Sequence, residues 1–529
     1  MATANSRAVL YTALGCISVR MESLCGHTNG LQKRHELRMN MQLGEGKPDE
    51  YGPRTNALKT LLDKAYFHRL PSYGNTIFYG LGFLALTCLM LLAASGLTLA
   101  FMGQTWWLTT PAGIYARSFH LWTVQAFIFI LILHGLVGFT TSGFRKPRRM
   151  VWVFGATIFC LVLIQTEFGY GLRGDFSSQF RAVSGADFWN GAYLGYWVNP
   201  LSHLQEFAIH VAIIPFLIFV FFIAHYLLEH SYGIAKPYRK DIPYTMEPAN
   251  HRIMYVRGLL LVVFIATMAF FFHSPYVPAI TIQSVAQSQP DRVAGNILAE
   301  YDRTSDTATY LDSIDPYTFD TRAVYVTVPY ATLAGQASGS NALSILASAT
   351  PAENAASLAQ AEQYVANGGV IPLSAPGATS SPEAALAGNP FIVILNTLVP
   401  AAQSGLYAAV IDQEHPSSND TYTLRFLSDM DVFEEKAKTL NMDTKEWGMA
   451  KDETGSLTKL PPGSWWLAPL GAINSLFDLP DNPNGDRIAG EILGAFMLIL
   501  ITFPYIPFLN RLPELLHLAP FIWRRGRRH

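Results

Sequence analysis

Charged side chains are scarce in this 529-residue chain: Asp, Glu, Lys and Arg make up 14% of it, against about 25% in soluble proteins. With half of all residues apolar, that scarcity excludes an ordinary soluble domain and points to a membrane protein. Cysteine is scarce too. The four present, Cys16, Cys25, Cys88 and Cys160, all lie in the first third of the chain. The remainder therefore has no disulfide, no CxxCH haem-attachment sequence and no Cys/His cluster for an iron–sulfur centre. Any electrons reaching it from outside must be carried by another subunit.

What is abundant is long apolar runs. Six segments are long and apolar enough to cross a bilayer, at about 75–102, 119–142, 151–170, 207–228, 256–273 and 489–509. The net charge of −2 is unevenly spread. The loop GFRKPRR at 143–149, the connection holding Lys236, Arg239, Lys240, Arg252 and Arg257, and the tail WRRGRR are all basic. The positive-inside rule puts these three places, and both termini, on the cytoplasmic (N) side. Segments 103–118, 171–206 and 274–488 then lie outside. An integral protein of a bacterial inner membrane, or of an equivalent energy-transducing membrane, is the expected setting.

The second and fourth runs carry paired histidines. His120 and His134 are 14 residues apart and His210 and His225 are 15 apart, which at 1.5 Å per residue separates the imidazoles of each helix by about 21–22 Å on approximately one face. Two such helices side by side offer one facing pair near each membrane surface, and each pair can supply both axial ligands of a haem iron. A lone histidine in a span can equally serve as a proton relay or make a helix–helix hydrogen bond; two matched pairs fit those roles less well. Gly82 and Gly96, and Gly155 and Gly169, repeat the 14-residue interval. Glycine lets a helix backbone approach a flat macrocycle where any Cβ would clash, although small residues also serve plain helix packing.

The segment 274–488 is too long for a connecting loop and should fold as a domain or cap. Between 275 and 461 it has 21 acidic and 9 basic residues, a net charge of −12. Such a surface can steer a cationic partner such as a small cytochrome, or simply confer solubility. Its middle, from about Ala331 to Pro390, is rich in Ala, Ser, Gly and Pro and is expected to be partly flexible. The first 60 residues resemble neither a span nor a signal peptide, and 58–71 reads as an amphipathic helix on the inner membrane surface.

From about 71 to 235 the chain resembles cytochrome b of the bc1/b6f family, in particular its b6 branch. The residues carrying the likeness are NTIFYGLGFLALTC (75–88), ARSFH (116–120), SGFRKPRRMVWVFG (142–155), FGYGL (168–172) and HVAIIPFLIFVFFIAH (210–225). The part after about 255 is similar more loosely, with PPGSWWLAPLGAINSLFDLP (461–480) where the family has its PEWY segment. The resemblance implies an all-α membrane protein: a four-helix dihaem bundle, two further transmembrane helices and a large extramembrane insertion. The implied division is an N-terminal extension (1–57), a dihaem domain (58–235), an inner loop and fifth span (236–273), the acidic insertion (274–488), and a sixth span with basic tail (489–529). It further implies that His120 and His210 hold a low-potential b haem near the outer face, and that His134 and His225 hold a high-potential one near the inner face. Arg117 would pair with a haem propionate, and His230 would contact quinone at the inner site. Implied partners are a Rieske-type iron–sulfur protein, a c-type cytochrome and a second copy in a homodimeric complex, with no nucleic acid.

Several family features are altered. The PEWY glutamate, a proton acceptor for quinol, is missing from Pro462-Gly463-Ser464-Trp465-Trp466, and a hydroxyl cannot accept a proton as a carboxylate does. The family's GYSLPWDQ reads GYGLRGDF here, leaving Asp175 as the remaining acidic candidate for catalysis, with capping of a helix as its plainer role. Gly80 replaces the cysteine that tethers an extra haem in the b6 branch, and Gln205 stands where an arginine is usual. Two readings follow: a quinol:cytochrome c reductase-like subunit with outer quinol and inner quinone sites, or a dihaem conduit that kept the inner site, lost the bifurcating outer one and serves a different outer partner. A non-redox membrane subunit is the third and weakest.

Overall fold

A computed structural model describes residues 69–195, 197–236, 244–313, 320–369, 388–414, 421–440, 442, 463–479, 482 and 484–516. The N-terminal extension, most of the 58–71 segment, Arg239, Lys240, Pro462 and the basic tail lie outside these residues. The described end of the supposed amphipathic helix is instead a short strand, β1 (Arg69–Pro71), paired antiparallel with β2 (Met246–Pro248). Pro71 accounts for the difference, because the residue before a proline is pushed out of the α region.

Six described helices are long and apolar enough to cross a membrane. They are α1 (Ile77–Met102), α2 (Pro111–Thr140), α3 (Arg149–Gly171), α5 (His203–Tyr232), α6 (His251–Phe271) and α9, whose helix proper runs Gly485–Thr502. The protein is thus an all-α integral membrane protein, since a lipid-exposed backbone must satisfy its own hydrogen bonds. The spans begin where the sequence supplies caps. Thr110 accepts from Gly113 N with Pro111 at the first helical position, and Asn250 accepts from Ile253 N at 3.0 Å, each removing an orphan donor. Gly103 and Gly233, at φ of 81° and 69°, end α1 and α5.

Helix α1 packs along α2 and α5 along α3, with α6 against α2 and α9 against α3. A shared core of Leu84, Cys88, Phe127, Ile128, Val162, Ile218 and Ile265 fills the bundle. Indole N–H groups tie the spans together: Trp122 donates to Phe272 O at 2.8 Å and Trp152 to Leu500 O at 2.7 Å.

The described part of 274–488 is helical and has its own core. Helix α4 (Phe176–Gly191) follows α3 and joins that core through Phe176 and Phe180. Within the insertion, α7 (Pro290–Asp302) and α8 (Pro390–Ser404) contribute Val293, Ile297, Phe391, Leu395 and Leu398, beside Tyr325, Tyr407 and Phe426. Helix α8 and the helix after it are apolar, but they meet at a 95° bend. Most side chains of α8 are buried in this core, with Asn396, Pro400 and Ser404 exposed, the environment expected for a helix with a broad apolar face. Within the Ala-rich stretch, Val328–Ser348 is helical with a break at Gly335 (φ 64°), and Pro351–Ala366 forms a further helix; residues 370–387 of the stretch expected to be partly flexible lie outside the described residues. Alanine is the strongest helix former, and Thr350 and Glu353 form a reciprocal capping box.

Candidate functional site

The site begins with two pairs of rings. His120 on α2 faces His210 on α5 with ring centroids 6.4 Å apart, and His134 on α2 faces His225 on α5 at 6.3 Å. The planes of each pair are inclined by 72° and 73°. Two metal–imidazole bonds of about 2.0–2.1 Å, placed in line, plus a ring radius of about 1.1 Å at each end, give about 6.3 Å. The centroid separation of each pair therefore suits one iron held between the two rings.

The tautomers agree with that use. His210 Nδ1 lies 2.8 Å from Gln165 O and His225 Nδ1 lies 2.9 Å from Val151 O; a carbonyl only accepts, so both Nδ1 atoms carry the proton. His120 Nδ1 lies 2.8 Å from Ser95 Oγ, whose own hydrogen is directed at Leu91 O at 2.7 Å, so Nδ1 donates here as well. In these three rings Nε2 keeps its lone pair for a ligand bond, and the bond at Nδ1 fixes the ring's orientation.

The four glycines stand beside these rings. A Cβ on Gly96 would come 3.2 Å from His120 Cε1, on Gly82 3.4 Å from His134, on Gly155 3.0 Å from His225 and on Gly169 2.5 Å from His210. Each glycine thus admits the edge of an imidazole from the neighbouring helix, a contact that the approach of a macrocycle alone does not require. For α3 the reason is visible in the numbering. Gln165 and Val151 lie four residues before Gly169 and Gly155, so the missing Cβ opens the carbonyl one turn earlier to a second donor.

The unequal spacing of the pairs has a local cause. On an ideal helix 14 residues turn to within about 40° of the starting face, and 15 overshoot it by about 60°. In α5 one residue is absorbed by a π-helical turn, Ile209–Ile213, that contains His210. Within that turn Ile214 N donates to Ile209 O. The next π-type donor to His210 O would be residue 215, a proline with no N–H. The orphaned carbonyl is taken up by Gln165, whose Nε2 donates to His210 O at 2.6 Å. Gln165 therefore holds His210 by its backbone and by its side chain. Gln165→Leu is expected to cost about 1–3 kcal/mol by stranding that carbonyl, seen as a lower midpoint in thermal unfolding followed by circular dichroism; an unchanged midpoint would show the bond to be idle.

Arg117 is buried at the His120/His210 end. Its Nη2 donates to Ser274 O at 3.1 Å, and its guanidinium lies 5.7 Å from the centre of the Tyr276 ring. Nε and Nη1 are buried with no hydrogen-bond partner among the described residues. A buried cation with orphaned donors calls for an anion, and a carboxylate such as a propionate has the right chemistry. His230, at the other end, lies with its ring 6.2 Å from that of Tyr226 and next to Glu229, which pairs with Arg148.

Asp175 is fully buried and caps α4. Its Oδ1 accepts from Ser178 N at 3.0 Å, while Oδ2 accepts from Arg173 at 2.7 Å. Two other carboxylates nearby were not singled out from the sequence. Glu206, four residues before His210, is 4% exposed and lies so tightly on Gly171 that any Cβ there would collide with it. Glu167 is near enough to interact with it electrostatically and pairs with Arg181 at 3.3 Å. Arg181 in turn donates to Ser464 Oγ and lies 4.3 Å from the centre of the Tyr170 ring. The serine standing where the family has its glutamate is thus tied to an arginine of α4. The sequence signal available for Glu206 is a carboxylate at the edge of an apolar span, one helical turn before a histidine of that span.

The family model described as "Cytochrome b(N-terminal)/b6/petB" matches residues 125–284. Cytochrome b6 of Heliobacterium modesticaldum is 30% identical over 196 residues, spanning 32% of this chain and 90% of the relative. Cytochrome b6 of Synechococcus sp. (strain RCC307) is 28% identical over 202 residues, spanning 34% and 92%. A solved chain titled "Hyperthermophilic respiratory Complex III" is 15% identical with a TM-score of 0.36, over 68% of this chain and 96% of that one.

Proposed function

Because the chain belongs to the cytochrome b6 family, we propose that it is the dihaem cytochrome b subunit of a quinol:cytochrome c reductase-like respiratory complex, with an outer quinol site and an inner quinone site. The observation that carries this reading is the pair of facing imidazole couples, 6.4 and 6.3 Å apart, each of a size to clasp one iron. His120 and His210 would hold one b haem, His134 and His225 the other, with Gly82, Gly96, Gly155 and Gly169 giving the imidazoles room. When bound, the haems supply one-electron redox chemistry; the protein binds, orients and insulates them. Arg117 offers its orphaned donors to a propionate.

Arg145, Lys146, Arg148 and Arg149 at the His134/His225 end support an N-side position for that end, with His230 at the inner quinone site. At the opposite, outer end the chain's task is to accept quinol protons. Asp175 remains a candidate, but Arg173 and the helix cap occupy both of its oxygens. Glu206 is the stronger one, because it is buried one helical turn before His210 and has Glu167, whose side chain is 27% exposed, as a route toward solvent.

One observation favours the second reading, a conduit without a bifurcating outer site: Arg181 already satisfies Ser464. The two readings separate on isolation of the intact complex. Co-purification of a Rieske-type subunit and a c-type cytochrome, with quinol oxidation sensitive to an outer-site inhibitor, supports the reductase. Haem reduction by quinol without a Rieske subunit, insensitive to that inhibitor, supports the conduit.

A further inference from the structure

At the His134/His225 end the chain forms a cavity of about 180 Å³ lined by Phe144, Arg145, Lys146, Arg149, Pro504, Asn510 and Arg511. Four of these residues are cations and none is an acid. The carboxylate of Glu514 pairs with Arg145, which leaves Lys146, Arg149 and Arg511 with no carboxylate partner among the described residues. The floor is apolar and packed: Phe144, 1% exposed, packs on Phe503 and Trp152 with ring centroids 5.1 and 5.4 Å away. Arg149 is steered by Tyr505, its guanidinium 5.0 Å from the ring centre.

Position decides what kind of anion suits the cavity. It joins the loop before α3 to the hook that follows α9, the short helical turns Phe503–Tyr505, Leu509–Arg511 and Leu512–Leu515, so it lies at a membrane boundary. Around it the structure exposes Met150, Tyr505, Phe508, Leu515 and Leu516, an apolar rim that a soluble anion cannot use and an acyl chain can. Basic pockets flanked by transmembrane helices are suited to phosphate headgroups, and guanidinium groups match phosphate oxygens in pairs.

We propose that this cavity seats the phosphate of an anionic phospholipid, whose acyl chains lie along the exposed apolar side chains and whose headgroup fastens the hook after α9 to the loop before α3. The lipid phosphate offsets the cations, Lys146, Arg149 and Arg511, that the Arg145–Glu514 pair leaves without a carboxylate among the described residues. The site is separate from the histidine pairs and does not depend on the haem reading.

Native mass spectrometry of the purified full-length complex, delipidated and titrated separately with phosphatidylglycerol, phosphatidylcholine and inorganic phosphate, tests the proposal. Phosphatidylglycerol should bind at one site more tightly than phosphatidylcholine, and inorganic phosphate should compete weakly. Lys146→Ala with Arg511→Ala, both at exposed positions, should weaken phosphatidylglycerol binding by about thirtyfold, at about 1 kcal/mol per cation. The paired Lys146→Arg and Arg511→Lys variant should retain it. Equal binding of the two lipids, or undiminished phosphatidylglycerol binding in the alanine variant, overturns the proposal. Inorganic phosphate binding as tightly as the lipid would make this a soluble-anion site and overturn it as well.

Discussion

His134→Leu is expected to lower the haem content of the purified chain from two to one while leaving insertion intact. Leucine is among the side chains best accepted at the centre of a span, so the helix persists. The loss falls on coordination: His225, 6.3 Å away and still held by Val151 O, would face no second ligand. His120→Leu should remove the other haem by the same logic, and the double variant should remove both. Because the pairs sit at opposite ends of α2 and α5, each single variant should leave the potential of the surviving haem close to its starting value, as a redox titration of the b bands would record. Loss of both haems from a single replacement would mean that the pairs are not independent sites.

Glu206→Gln is expected to slow quinol oxidation at the outer face by about 100-fold, the lower end of what a positioned acid–base group contributes, with haem content unchanged. Glutamine keeps the shape of the side chain lying on Gly171 and removes only its capacity to take a proton. Asp175→Asn is the matched comparison. Asparagine caps a helix about as well as aspartate, so α4 should survive, and since Arg173 and Ser178 occupy the carboxylate in the native chain the rate should fall less than tenfold. The opposite ranking would return the acceptor role to Asp175. If neither variant changed the rate, no carboxylate at this end would serve quinol, and the conduit reading would gain.

The histidines, the glycine repeat and the six spans are legible in the sequence because each rests on a local period: the helical turn, the bilayer thickness and the distribution of basic loops. What escapes it depends on contacts between distant segments. The role of Gln165 needs Pro215, 50 residues later, to strand a carbonyl that the glutamine then reaches across from α3. Arg181 meets Ser464 from the far side of the insertion, a pairing that no spacing could suggest. Glu206 is readable as a carboxylate at the edge of an apolar run, but the altered PEWY and GYSLPWDQ segments point to Asp175 instead. Between 328 and 366 the chain is largely helical, because alanine's helix propensity acts within a composition rich in small residues.

The most direct measurement is a pyridine haemochrome assay on the purified chain and on its four single histidine-to-leucine variants. Two b haems per polypeptide are expected for the native protein and one for each variant. No haem in the native chain, or a content that no replacement changes, contradicts the assignment of His120, His134, His210 and His225 as the ligands.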